Sequence, residues 1–275
     1  MMKSSVRLTL PNEMKDELVL ERPGCAVHVW LTGPSSAPLL VMLHGAGLDH
    51  HMFEPQVEAF SQRYRLALVD VRAHGKSRPI ERPFSIADAR DDVLALLDAL
   101  VVEAATVLGQ SMGGNIAQEV VFASPARVST LVAVDCASNT LPLGRFNRAL
   151  LAISPALLKM LPERMLWAGT VAVSKQPEVR RYLSATIRQH SKPHIVEITT
   201  ATLGALHAGL DYRTPCPLLI VRGAHDNAGA IRQQAPRWAA RDRAAYVEIP
   251  NAGHMSNMDN PVAFNRAVLA FLEQS

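Results

Sequence analysis

AATVLGQSMGGNIAQEVVFA, residues 104–123, decides how the rest of the chain is read. Through Gln110 it is a continuous apolar run of strand length, the pattern of a strand covered on both faces. From Met112 to Ala123 it takes on the pattern of an amphipathic helix. Between the two stand Gly109, Ser111 and Gly113 in a G-x-S-x-G arrangement, with Gly114 following. A chain that passes from strand to helix at one residue crowds its neighbours. Glycine at the flanking positions removes the Cβ atoms that would clash. The serine hydroxyl then stands clear of the sheet edge, and the N-terminus of the following helix directs positive potential toward it. A Gly-rich turn with serine as a plain helix cap has the same letters. The strand before and the helix after favour a nucleophile at Ser111.

A serine hydroxyl is a weak nucleophile until a base takes its proton. The chain has ten histidines. His254 lies in NAGHMSNMDNP, residues 251–261, between the last strand-like run and the last helical pattern. Loops leaving the carboxyl ends of parallel strands gather on one sheet edge, so this loop reaches Ser111. His28 falls in an early strand and reads as structural. His190, His194 and His207 fall in a central helical stretch, where they are solvated or line a cap. His50 and His51 follow an HGAG loop and are placed either at a pocket mouth or on an exposed loop. The base in turn needs a carboxylate to hold its tautomer and stabilise the imidazolium. Asp135 ends one strand-like run and Asp226 lies just past another, both on the same sheet edge.

Moving outward, further strand-like runs occupy 25–32, 38–45, 65–70, 129–135, 217–223 and 244–250. A helix is expected over 85–101, capped by Ser85 and with its apolar residues on one side. Another is expected over 262–272, entered through Pro261. Alternation of this kind gives an α/β fold, a mostly parallel sheet with helices on both faces. It breaks between 137 and 212, where Pro142, Pro155, Pro162, Pro177 and Pro193 punctuate segments rich in Leu, Ala, Met and Arg. Several short helices inserted between two strands are expected there. This gives a core domain of 1–136 and 213–275 with a helical cap of 137–212. From 140 to 200 nine Lys/Arg face three Glu, a net +6 against +3 for the whole chain. Such a cap either attracts an anionic substrate through its field or carries solvated arginine faces. The apolar stretch from Leu157 to Trp167 suits the roof of a pocket or ordinary packing against the core.

The chain has 275 residues, 48% of them apolar, enough for one α/β domain with a sizeable core. A formal charge of +3 without any Lys/Arg block argues against a nucleic-acid partner. No run reaches the roughly 18 apolar residues of a membrane span. Charges interrupt every apolar run of the first 24 residues, so no signal-peptide core is expected there. Cys25, Cys136 and Cys216 are odd in number, far apart and without a CxxC pair, which fits free thiols in a reducing cytosol and no metal site.

With these pieces in place, the chain resembles the α/β-hydrolase superfamily from about residue 25 to the C-terminus, least over 137–212. Asp70-Val-Arg-Ala-His-Gly-Lys-Ser77 is similar to the family's D-x-R-G-H-G-x-S loop, with Ala73 in place of glycine. Asp70, Arg72 and His74 read there as structural support. Gly253-His254 with Asp259-Asn-Pro261 resembles its C-terminal block. The family's chain order of Ser, Asp, His favours Asp226 over Asp135, which then reads as a loop-capping carboxylate. After Asp226 the family often has a proline, where this chain runs Asn227-Ala-Gly-Ala230. His44-Gly45-Ala46-Gly47 resembles the HG-type loop that supplies one oxyanion N–H, the other coming from the residue after the nucleophile. By position those donors are Ala46 and Met112. The resemblance implies a serine hydrolase that cleaves a carboxylic ester of a small molecule through an acyl-enzyme on Ser111. It implies no metal or organic cofactor, no nucleic-acid partner, a cytoplasmic location and a monomer or homodimer. An enol-lactonase or a C–C hydrolase of diketone acids uses the same residues. The rival class is a ligand-binding or signalling member of the fold that turns over little.

Overall fold

The computed structural model of the chain describes residues 16–274 apart from Leu143 and Leu210, and the side chains of 145–152 lie outside the description. The apolar runs become β2 (Cys25–Thr32) and six strands that follow it: β3 (Leu39–Leu43), β4 (Arg65–Val69), β5 (Ala105–Gln110), β6 (Val128–Val134), β7 (Leu218–Gly223) and β8 (Ala245–Ile249). With β1 (Asp16–Arg22) they form one eight-stranded sheet in the order β1-β2-β4-β3-β5-β6-β7-β8. From β3 to β8 the neighbours are parallel, and only β1–β2 and β2–β4 run antiparallel. The strands β3, β5 and β7 are buried along their whole length. That is why their sequences show no polar alternation. The period of two still sorts their side chains between two cores. Val41, Leu43 and Val107 pack on one side of the sheet, and Leu40, Met42 and Leu108 on the other.

Helices cover both sides. They are α1 (Glu54–Phe60), α2 (Ile86–Ala99) and α3 (Met112–Ala123) before β6, and α8 (Ile231–Asp242), the short α9 (Ser256–Asp259) and α10 (Pro261–Leu272) after β7. Between β6 and β7 come α4 (Arg145–Met160), α5 (Glu163–Ala172), α6 (Pro177–Ile187) and α7 (Lys192–Gly204). The Ser85 hydroxyl caps α2, accepting the Asp88 N–H at 3.0 Å. None of the helices among the described residues is long and apolar enough to cross a membrane. The expectation that no signal-peptide core lies in the first 24 residues falls mostly on residues 1–15, outside the description.

Besides the four-residue α9, which falls in a stretch read as loop, three elements escaped the sequence reading. β1 alternates exposed and half-buried residues and pairs only with β2 at the sheet margin, so it has no apolar run to announce it. α1 opens behind a 3-10 turn at His50–Phe53 rather than behind a clear cap. α8 reads IRQQAPRWAARD, largely polar and interrupted by Pro236, yet it buries Trp238 and Ala235.

Candidate active site

Parallel register places the ends of β3, β5, β6, β7 and β8 on one edge of the sheet. Backbone hydrogen bonds then join the loops that leave them. Ser111 N–H donates to Val134 O at 2.9 Å, Asp135 N–H to Val221 O at 2.8 Å, and Ala224 N–H to Ile249 O at 2.9 Å. Ser111 takes φ 51° and ψ −116°, a conformation L-residues rarely adopt, costing on the order of 1–3 kcal/mol. The turn closes so tightly that a Cβ on Gly109 would strike the Gly113 carbonyl, and one on Gly113 the Leu43 carbonyl. Glycine at both positions is therefore a packing requirement.

The structure brings three of the sequence-derived residues into one chain of contacts. His254 Nε2 lies 3.0 Å from Ser111 Oγ, and His254 Nδ1 lies 3.0 Å from Asp226 Oδ2. The carboxylate partner assigns the proton to Nδ1, which leaves Nε2 free to accept from the serine hydroxyl. Asp226 is 1% exposed, and its other oxygen accepts the Ala228 N–H at 2.8 Å. Burial depresses the His254 pKa, but the Asp226 hydrogen bond and the charges of Asp226 and Asp135 outweigh it, so the imidazole sits above its ordinary 6.5.

Asp135, the other candidate acid, has a different job. Its two carboxylate oxygens accept the Gly223 N–H at 2.7 Å and the Ser256 N–H at 2.9 Å. It therefore links the end of β7 to the loop carrying His254 and makes no hydrogen bond to the imidazole. Burial, and then the neighbouring Asp226, push its carboxyl up to about 7.

The His254 loop is held from three further sides. Gln110 Nε2 donates to His254 O at 2.7 Å, and His254 N–H donates to Val173 O at 3.0 Å. Asp259 accepts the Gly253 N–H at 2.7 Å, the Lys175 N–H at 3.0 Å and the Ser174 hydroxyl at 2.5 Å. Sequence reasoning gave none of these groups a role. Asp259 stood in a quoted block, and Gln110 was a polar side chain at a buried strand end. Val173 works through its carbonyl and leaves no sign in the sequence.

Ala46 and Met112 border, with Ser111 and His254, a cavity of about 410 Å³, within the usual range of small-molecule sites. As the first residue of α3, Met112 has an N–H with no acceptor inside the helix. Asp70, Arg72 and His74 stand away from this cavity. Arg72 Nε and Nη2 each lie 2.6 Å from an Asp92 oxygen, and His74 Nδ1–H reaches Arg72 O at 3.0 Å. Asp70 accepts the His50 and Lys76 N–H groups. His50 is neither at the pocket mouth nor on an exposed loop. It is buried, stacked 3.4 Å from Trp30 and within 2.9 Å of Asp70. His51 pairs with Glu54, and His28 with Glu17. The three cysteines are free thiols, and no cluster of metal-ligating side chains occurs among the described residues.

This geometry can be set beside known proteins. A 3-oxoadipate enol-lactonase of Acinetobacter baylyi is 26% identical over 244 residues, 88% of this chain and 91% of its own. A second enol-lactonase of that organism matches over 103 residues only, at 39% identity and 38% of each chain. A pimeloyl-[acyl-carrier protein] methyl ester esterase of Chromobacterium violaceum is 30% identical, covering 86% of this chain and 94% of its own. Among solved structures, a hydrolase from Pseudomonas aeruginosa superposes with a TM-score of 0.77 at 26% identity, covering 94% of this chain and 98% of that one. The profile of the alpha/beta hydrolase fold matches residues 38–261, from the approach to β3 through the first residue of α10. By a match that takes in the parallel strands and the serine turn alike, the chain belongs to the α/β-hydrolase fold family.

Proposed function

We propose that the protein is a serine hydrolase that cleaves a carboxylic ester of a small molecule, with Ser111 as nucleophile, His254 as base and Asp226 as the carboxylate behind it. The observation that carries this is the pair of 3.0 Å contacts linking Ser111 Oγ, His254 and Asp226, with Ser111 and His254 lining the cavity. Ser111 Oγ attacks the ester carbonyl carbon as its proton passes to His254 Nε2. The N–H groups of Ala46 and Met112 stabilise the oxyanion. The tetrahedral intermediate collapses, the C–O bond to the alcohol breaks, and the alcohol leaves with the proton from Nε2. Water then gives its proton to Nε2 and attacks the acyl-enzyme. The second collapse returns that proton to Ser111 and releases the acid. Apart from the water consumed, the proposed steps use only the protein's own groups. Residues 137–212 serve as a cap over a core of 1–136 and 213–275, with Thr199, Thr202 and Leu203 of α7, and Leu206 just past it, contributing to the cavity wall.

A lactone is a cyclic ester, and the same steps open it with the alcohol retained on the acyl chain. The enol-lactonase relatives support that second reading. The test is a panel of p-nitrophenyl esters of rising acyl length beside lactones, together with a fluorophosphonate probe. Wild type should hydrolyse and be labelled. Ser111→Ala should do neither, with an unchanged circular dichroism spectrum. Hydrolysis by protein that the probe leaves unlabelled would remove Ser111 from its role. A folded wild type inert toward the whole panel would favour a ligand-binding protein.

A further inference from the structure

The cap's excess of positive charge and the lining of the cavity point to different substrates. None of the residues described as lining the cavity is Asp, Glu, Lys or Arg. Its apolar wall comes from Met112 at the serine turn, Leu203 of α7, Leu206 just past that helix, and Ile231 at the start of α8. The polar side chains there are partly committed elsewhere. Thr202 Oγ1 donates to Ile198 O in its own helix at 2.8 Å, and Asn115 Nδ2 donates to Asn139 Oδ1 at 2.5 Å.

The described cap cations lie outside. Lys159, Arg164, Lys175, Arg180, Arg181 and Arg188 are exposed and absent from the cavity wall. Lys192 turns its ammonium to the carbonyls of Lys159 and Leu161, at 2.6 and 2.7 Å, around the end of α4. There it complements the negative end of that helix dipole. Fields from exposed charges fade over about 8–10 Å in physiological salt. A carboxylate carried into this cavity would lose its water and find no cation among the described lining residues, which is costly.

Resting on the ester-hydrolase reading, we infer that the substrate portion buried in this cavity is uncharged and largely apolar, and that the site rejects esters and lactones bearing a carboxylate there. This separates the chain from any relative whose substrate keeps a free acid beside the scissile bond. The basic cap surface plays no part in that choice.

Matched ester pairs test it. p-Nitrophenyl pentanoate and mono-p-nitrophenyl glutarate differ by a terminal carboxylate on the acyl side. Phenyl acetate and 4-carboxyphenyl acetate differ on the alcohol side. Wild type should favour the neutral member of at least one pair by ~100-fold or more in kcat/KM, the scale expected when a site leaves a buried charge unpaired. Leu203→Arg, which puts a guanidinium on the α7 wall, should raise the anionic-to-neutral ratio for that pair by ~10-fold or more. Thr202→Arg on the same wall replaces it if the first variant does not fold. Equal rates within both pairs, or a preference for the anionic members, would overturn the inference. An anionic preference lost in the double variant Arg145→Gln, Arg148→Gln would trace the error to α4. Ser111-dependent hydrolysis of the neutral esters keeps these outcomes distinct from failure of the hydrolase reading, in which no ester turns over at all.

Discussion

Asp226 and Asp135 stand on the same sheet edge and differ in what their oxygens touch. One oxygen of Asp226 faces the imidazole, whereas both oxygens of Asp135 are taken by backbone N–H groups. Asp226→Asn keeps the shape but lets the imidazole adopt the tautomer that cannot accept the serine proton. It should lower kcat by at least ~10²-fold. Asp135→Asn keeps one acceptor oxygen and should stay within roughly tenfold. The pH profile separates them further. Protonated His254 cannot act as a base, and its pKa is raised, so the rate should fall as the pH drops through a value above 6.5. Asp135 contributes to that rise, so Asp135→Asn should move this limb to lower pH. Steady-state kinetics across pH, with circular dichroism to confirm folding, decide it. An inactive Asp135→Asn beside an active Asp226→Asn would reverse the two assignments.

At the level of elements, the segment after α5 holds the loop that carries His254. Val173 O takes the His254 N–H, and Asp259 gathers Gly253, Ser174 and Lys175 onto one carboxylate. Asp259→Ala removes three hydrogen bonds without touching the cavity lining. Misplacement of the base should cost about 10- to 100-fold in kcat. KM should change little, and the melting temperature should fall by a few degrees, as loss of about 1–2 kcal/mol implies for a chain of this size. Full activity in a folded Asp259→Ala would show that the imidazole keeps its place without this clamp. Such links explain what the sequence could reveal. β3, β5 and β7 were legible because two-sided burial leaves continuous apolar runs. The serine turn was legible because its geometry demands Gly109 and Gly113. The Val173 contact was not, since a carbonyl belongs to every residue. The burial of His50 was also hidden, because it depends on Trp30 of β2 and on Asp70 just past β4.

Across the whole molecule, the seam between the α6–α7 corner and the main sheet is lined with imidazoles. His74 lies between His44 at 5.0 Å and His190 at 5.5 Å between ring centroids, with His194 and Arg78 close by. Burial, aided by the nearby Arg78 guanidinium, holds His190 down to about 3, and burial also lowers His44 and His74. The unfolded chain takes up a proton at His190 near 6.5, which the folded protein refuses until about 3. Stability from this group is therefore complete above 6.5 and lost progressively as the pH falls toward 3. Urea midpoints at pH 7.5 and 5 should show His190→Gln losing less stability than wild type over that interval. An equal or larger loss in the variant would clear His190 of the effect. The candidate site, too, is built from long-range joins. Ser111, Asp226, His254, Ala46 and the Val173 carbonyl come from five separated stretches of chain, fastened to one another by the loops at a single sheet edge. None of these stretches by itself carries the proposed machinery. On the hydrolase reading, turnover is thus a head count of intact molecules, and lost activity in a heated or aged sample should report lost fold before any chemical damage needs to be invoked.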